Sequence, residues 1–145
     1  MTAPVTDLRP VTDPRPVTDP RAMIAGMAPH RCPGRFVFVT ASGRDDLIPA
    51  ALASFREAEG LSLILPQDVA RAQGLSDANP MACITLTVWS ALDAVGLTAA
   101  VSAALQAEGI PANVVAAFHH DHVFVPEHLA DRALAALTAL AAAQA

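Results

Sequence analysis

The hydrophobic pattern of residues 83–143 switches back and forth between the period of a strand and the period of a helix, and this order constrains the fold more than any other feature. Cys83 to Trp89 (CITLTVW) sets Ile84, Leu86 and Val88 against Thr85, Thr87 and Trp89, the alternation of a half-buried strand. Leu97, Ala100, Val101, Ala104 and Leu105 then recur on one helical face, and Gly109 closes that helix. Ala112 to Phe118 and Val123 to Val125 read as two strands around the polar run HHDH. Pro126 leads into Glu127 to Ala143, where Ala130, Ala133, Leu134, Leu137 and Leu140 form a second apolar stripe. The order β-α-β-β-α predicts an α+β fold of the split βαβ kind, with two helices on one face of an antiparallel sheet. A closing strand is missing, because the segment ends in an alanine-rich helix. A strand from the first half, or from another chain, must pair at that position, since an open edge invites misassembly.

The first half is harder to read. Arg35 to Thr40 (RFVFVT) and Leu61 to Leu65 (LSLIL) are strands, Pro66 opens a short helix that ends at Gly74, and Ala22 to Met27 forms another short helix. Ala50 to Arg56 fits helix and strand equally. Ahead of these lies a repeat: PVTDLR at 4–9, then PVTDPR at 10–15 and 16–21. One valine per unit offers too little to bury, and proline in every unit excludes helix and central strand. Residues 1–21 are therefore expected to form an extended, disordered tail, followed by an N-terminal half over 22–75 and a C-terminal domain over 76–145.

Composition narrows the function. The chain has 145 residues and a net charge of −5, with no lysine. In the first 21 residues Asp7, Asp13 and Asp19 cancel Arg9, Arg15 and Arg21, so the acidity lies in the body. An acidic body argues against nucleic acid and against an anionic membrane, both of which need clustered cations. Two cysteines without a CxxC partner do not make a disulfide framework. No apolar run is long enough to span a bilayer, and no basic region precedes an apolar run at the N-terminus, so a cytoplasmic protein is expected.

The strings SFREAEGLSLIL (54–65), CITLTVWSALDAVGLTAAVSAAL (83–105) and EGIPANVVAAFHHDHVFVP (108–126) resemble the bacterial ACT-domain family formerly catalogued as a domain of unknown function. They are also similar to the ACT modules of CASTOR-type arginine sensors. The resemblance covers residues 22–143. It implies ferredoxin-like βαββαβ modules, here two ACT-like halves, often paired side by side, that bind amino acids and regulate an enzyme or transporter without a catalytic group. The family's strand-to-helix turn, Asp-x-Pro-Gly, corresponds to Asp93-Ala94-Val95-Gly96, with Val95 in place of proline.

The Gly96 turn also carries its own chemistry. Where a strand gives way to a helix, the first amide hydrogens lack internal partners and sit at the positive end of the helix dipole. A carboxylate docks there readily, and glycine lets it approach the backbone. Asp93 could hold the ammonium of the same ligand; equally, Asp93 could cap the helix and Gly96 merely permit the turn. Val95, Leu97 and Thr98 flank this position, and Asn113, at the start of a neighbouring strand, offers an amide that donates and accepts, or simply a turn residue.

The HHDH run is the other conspicuous cluster. His120 and His122 share a strand face, and with Asp121 or His128 they make a possible metal set, provided Cys83 or His30 comes close. A solvated hairpin turn or ligand-facing polar residues is the simpler reading. Catalysis finds little support: Ser42 lacks a GxSxG context, no lysine is present for a Schiff base, and no phosphate loop occurs. Glu57 and Glu59 read as a solvated face, with Arg56 a partner for Glu59 or for a ligand carboxylate. The reading as a whole is a non-enzymatic regulatory protein that binds an amino acid and forms a homodimer. Its binding residues are Asp93, Val95, Gly96, Leu97, Thr98 and Asn113, and it has no catalytic residue, metal or cofactor. The alternatives are a protein–protein interaction module without a small ligand, and a His-cluster metal protein.

Overall fold

The computed structural model describes residues 10–13 and 15–145. In chain order its elements are α1 (Pro20–Ala25), β1 (Pro29–Arg31), β2 (Phe36–Thr40), a 3₁₀ turn (Asp45–Ala50), β3 (Ala53–Glu57), β4 (Gly60–Pro66), α2 (Gln67–Ala72), β5 (Met81–Leu86), α3 (Leu97–Ala107), β6 (Asn113–Ala116), β7 (Asp121–Pro126), a second 3₁₀ turn (Glu127–Leu129) and α4 (Ala130–Gln144). They divide into two compact units. One holds Pro33–Met81, and the other joins the segment ending at Cys32 to Ala82–Ala145. Among the described residues no helix is long and apolar enough to cross a membrane.

The second unit is the α+β fold expected, and it is complete. Its strands lie in the order β1-β5-β7-β6, with β1 antiparallel to β5 and β6 antiparallel to β7. β1 fills the position of the missing last strand. Pro29, His30 and Arg31 pair with Leu86, Thr85 and Ile84, and the Cys32 N–H continues the ladder to the Cys83 carbonyl at 2.9 Å. Arg31 then reaches Asp131 of α4 at 2.9 Å and Glu127 of the second 3₁₀ turn at 3.7 Å. The chain's own N-terminal segment thereby protects the β5 edge. This is why residues 22–32 join the C-terminal unit and not the N-terminal half that the sequence suggested.

The core of this unit lies between the sheet and the helices. Leu97, Val101 and Leu105 of α3 and Ala130, Ala133 and Leu137 of α4 pack onto Ala82, Ile84 and Leu86 of β5 and Val123 and Val125 of β7. Met23 and Met27, both fully buried, join them from the N-terminal segment. The sequence expected a tail through Arg21, but its third repeat unit is built in. The Val17 N–H bonds the Trp89 carbonyl at 2.8 Å, and the Ala91 N–H bonds the Val17 carbonyl at 2.9 Å. Asp19 caps α1, accepting from the Ala22 N–H at 2.7 Å, and Pro20 takes the first helical position, where it loses no hydrogen bond. The first repeat unit lies outside the described residues.

In the first unit the order is β3-β4-β2, and Met81 pairs antiparallel with Phe36 on the free side of β2. Val37, Leu61, Leu63 and Leu65 form one buried face beneath Leu47 and Ala70. The ambiguous stretch resolves as 3₁₀ turn through Ala50 and strand from Ala53, with Pro49 limiting the turn's growth. Arg56 pairs with Asp45 at 3.1 Å, and Glu57 accepts a hydrogen bond from Ser62, so both serve this surface.

Candidate ligand-binding site

In the second unit a cleft of about 390 Å³ opens where the chain leaves β5 for α3. Its near wall is the connection Ser90 to Gly96 and the first turn of α3; its far wall is the β6–β7 hairpin at Ala116, Ala117 and Asp121; Met23 of α1 contributes to it as well.

Gly96 is the N-cap of α3 with φ +114°, a conformation that a side chain resists, and no side chain caps this end. The Ala100 N–H bonds the Gly96 carbonyl at 2.9 Å, whereas among the described residues the amides of Leu97, Thr98 and Ala99 meet no backbone carbonyl. These three residues line the cleft with Gly96. The uncapped, positive end of an eleven-residue helix thus faces the cleft. A Cβ on Gly96 would lie 3.5 Å from the Pro20 side chain, which marks how closely α1 abuts this turn.

Across the cleft stands Asp121, the first residue of β7, only 7% exposed. Strand alternation puts it on the same face as Val123 and Val125, toward the helices. No ion pair involving Asp121 occurs among the described residues. Burial pushes its carboxyl above the ordinary value of 3.8, opposed only by the neighbouring His120. A buried carboxylate without a cation is costly, and a ligand ammonium is the group that would relieve it.

His122 points to the other face. Its Nδ1 lies 2.9 Å from the Thr85 hydroxyl, which also sits 3.1 Å from Cys32 Sγ. Burial, reinforced by His120, lowers the His122 pKa and so favours the neutral ring. Thr85 is fully buried, and so is Cys83, so β5 is covered on both faces and not half-exposed as its alternation suggested. A hydrogen bond with Cys32, and then burial, hold the Cys83 thiol far above its usual range. Asp121 and His122 diverge, and among the described residues no group of three His, Cys, Asp or Glu side chains is placed to hold a metal. His119 instead packs at the hairpin tip, tilted against Trp89 at 5.1 Å and edge-on to Phe118 at 4.8 Å between ring centroids.

Of the six residues singled out in the sequence, Val95, Gly96, Leu97 and Thr98 line the cleft; Asp93 and Asn113 do not. Asp93 sits exposed in the turn closed by the Ala94 N–H on the Ala91 carbonyl, and it does not cap α3. Asn113 begins β6 opposite Phe124, three residues from Ala116 and so about 10 Å away along the strand. Asp121, and not Asp93, is the acidic residue lining the cleft. Its signal was its spacing from Val123 and Val125, which marks an acid on an apolar face.

Two family models match the chain, both described as ACT domain, over residues 16–82 and 80–139. Among solved structures, VC0802 of Vibrio cholerae, described as a protein of unknown function and possible transport protein, is 44% identical. That match covers 79% of this chain and 89% of the other, with a TM-score of 0.74. Protein Atu0741 of Agrobacterium tumefaciens is 19% identical over 74% of this chain and 84% of its own, with a TM-score of 0.57, and shares the fold. No curated protein matches the chain.

Proposed function

The chain belongs to the ACT-domain family, and on that premise we propose that it is a non-catalytic regulatory protein whose second unit takes up a free amino acid. One observation carries the reading: the uncapped amides of α3 and the buried carboxylate of Asp121 line the same cleft. The amides suit a ligand carboxylate, and Asp121 suits its ammonium, so a zwitterion finds a partner at each end. Kinship with the CASTOR-type sensors is proposed for the module's architecture and not for its ligand. The working form is a homodimer, a role for which Leu92 and Val95, 69% and 77% exposed beside the cleft, are fitted. Two free thiols suit a reducing cytoplasm. An interaction module that borrows a partner's strand is less favoured, because β1 already holds that position.

Thermal unfolding of the full chain against the twenty amino acids tests the proposal. Ligand at a hundredfold above its dissociation constant adds about 2.7 kcal/mol, a rise in Tm on the order of 10 °C for a chain of this size. Gly96→Arg, which fills the mouth of the α3 terminus, is expected to abolish the rise. A flat panel with folded protein overturns the reading.

A further inference from the structure

Resting on that reading, we propose that the amino acid has an uncharged aliphatic side chain, and that the wall of the cleft selects it against acidic and basic ones. The observation is what remains once the zwitterion is seated. The α3 amides take the carboxylate and Asp121 takes the ammonium, and Asp121 is the only charged side chain among the described residues lining the cleft. Ser90 and Thr98 are its other polar residues. Five alanines, at positions 91, 94, 99, 116 and 117, make up much of the rest, beside Leu92, Val95 and Leu97.

Short methyl-bearing walls leave room for a ligand side chain and offer it mostly apolar contact, with no cation among the described lining residues. An acidic side chain would lose water without meeting a cation, and would lie in the same cleft as the Asp121 carboxylate. A basic side chain would compete with its own ammonium for the one carboxylate. An aliphatic side chain loses nothing polar and gains with each methylene it buries, roughly fourfold in affinity per group.

Calorimetric titration of the full chain with glycine, L-alanine, L-valine, L-leucine, L-glutamate and L-arginine tests this. The expected result is affinity climbing from glycine toward valine and leucine, with glutamate and arginine at least about tenfold weaker than the best aliphatic ligand. Glutamate or arginine binding as tightly as valine and leucine overturns the aliphatic assignment and leaves the zwitterion site standing. Binding by none of the six, with the protein folded by circular dichroism and none of the other amino acids raising Tm, overturns both. A second variant reads the wall directly. Ala99→Arg, on the exposed side of the first α3 turn, puts a cation beside the cleft and is expected to improve glutamate relative to valine by about tenfold. A folded Ala99→Arg protein with an unchanged ratio places the ligand's side chain elsewhere and overturns the inference.

Discussion

Asp121→Asn makes a perturbation with two consequences of opposite sign. The exchange keeps shape and removes charge. Without ligand, the carboxylate is 7% exposed, has no ion pair among the described residues, and has its pKa raised by burial. A folded-state pKa above the unfolded one means that the native protein binds the proton more tightly. Asp121 therefore lowers stability progressively as pH rises from 3.8 through the raised value, and the cost is fully present above it. Asparagine carries no such cost, so the variant melts higher than the parent at pH 7, and the difference closes as pH falls below 3.8. With ligand the order reverses. Losing a charge-assisted hydrogen bond to the ammonium removes about 1.5–3 kcal/mol, roughly ten- to 150-fold in Kd. The assay is thermal unfolding of both proteins from pH 3 to pH 8, with and without the best aliphatic amino acid, together with titration calorimetry at pH 7. An asparagine variant that melts lower than the parent at pH 7 without ligand would show the charge already compensated. A Kd change below threefold would remove Asp121 from the site. Either result refutes the reasoning.

Two further outcomes follow from single contacts. Asp19→Ala deletes the α1 cap on the Ala22 N–H and is expected to cost about 1 kcal/mol in chemical denaturation, whereas Asp13→Ala, which loses an exposed local bond to the Arg15 N–H, leaves stability unchanged. Thr85→Val strips His122 Nδ1 and Cys32 Sγ of their shared hydroxyl in a buried setting and is expected to cost about 1–3 kcal/mol; a loss under 0.5 kcal/mol would show that His122 finds another partner.

How much of this was legible in the sequence depends on where each element draws its stability. α3 and α4 were readable because Leu97, Val101 and Leu105, and Ala130, Ala133 and Leu137, carry the helical period on their own. The hairpin β6–β7 was readable from its valines on either side of a polar run. β1 was not, because Pro29-His30-Arg31 has no β-branched residue and no alternation. It is a strand only because β5 presents an unpaired edge, yet that need was visible in the missing last strand. Within the site, glycine ahead of an apolar helical stripe announced the α3 terminus. The acid opposite it was hidden inside HHDH, where composition suggests solvent and only the spacing to Val123 and Val125 points inward. Asp93, three residues from Gly96 in sequence, was the more obvious partner, but its turn leaves it in solvent.

The segment that completes the fold also walls the site. β1 closes the sheet of the second unit, and the α1 that precedes it sends Met23 into both the core and the cleft and sets Pro20 against Gly96. Val17 extends this seam by bridging Ser90, itself a lining residue. Closing the β5 edge and shaping the cleft are thus one structural event. A ligand that binds only when this seam is intact stabilises the seam by mass action, and a change that loosens α1 weakens the site without touching the ligand. By that linkage, filling the cleft would act on the N-terminal segment that closes the sheet.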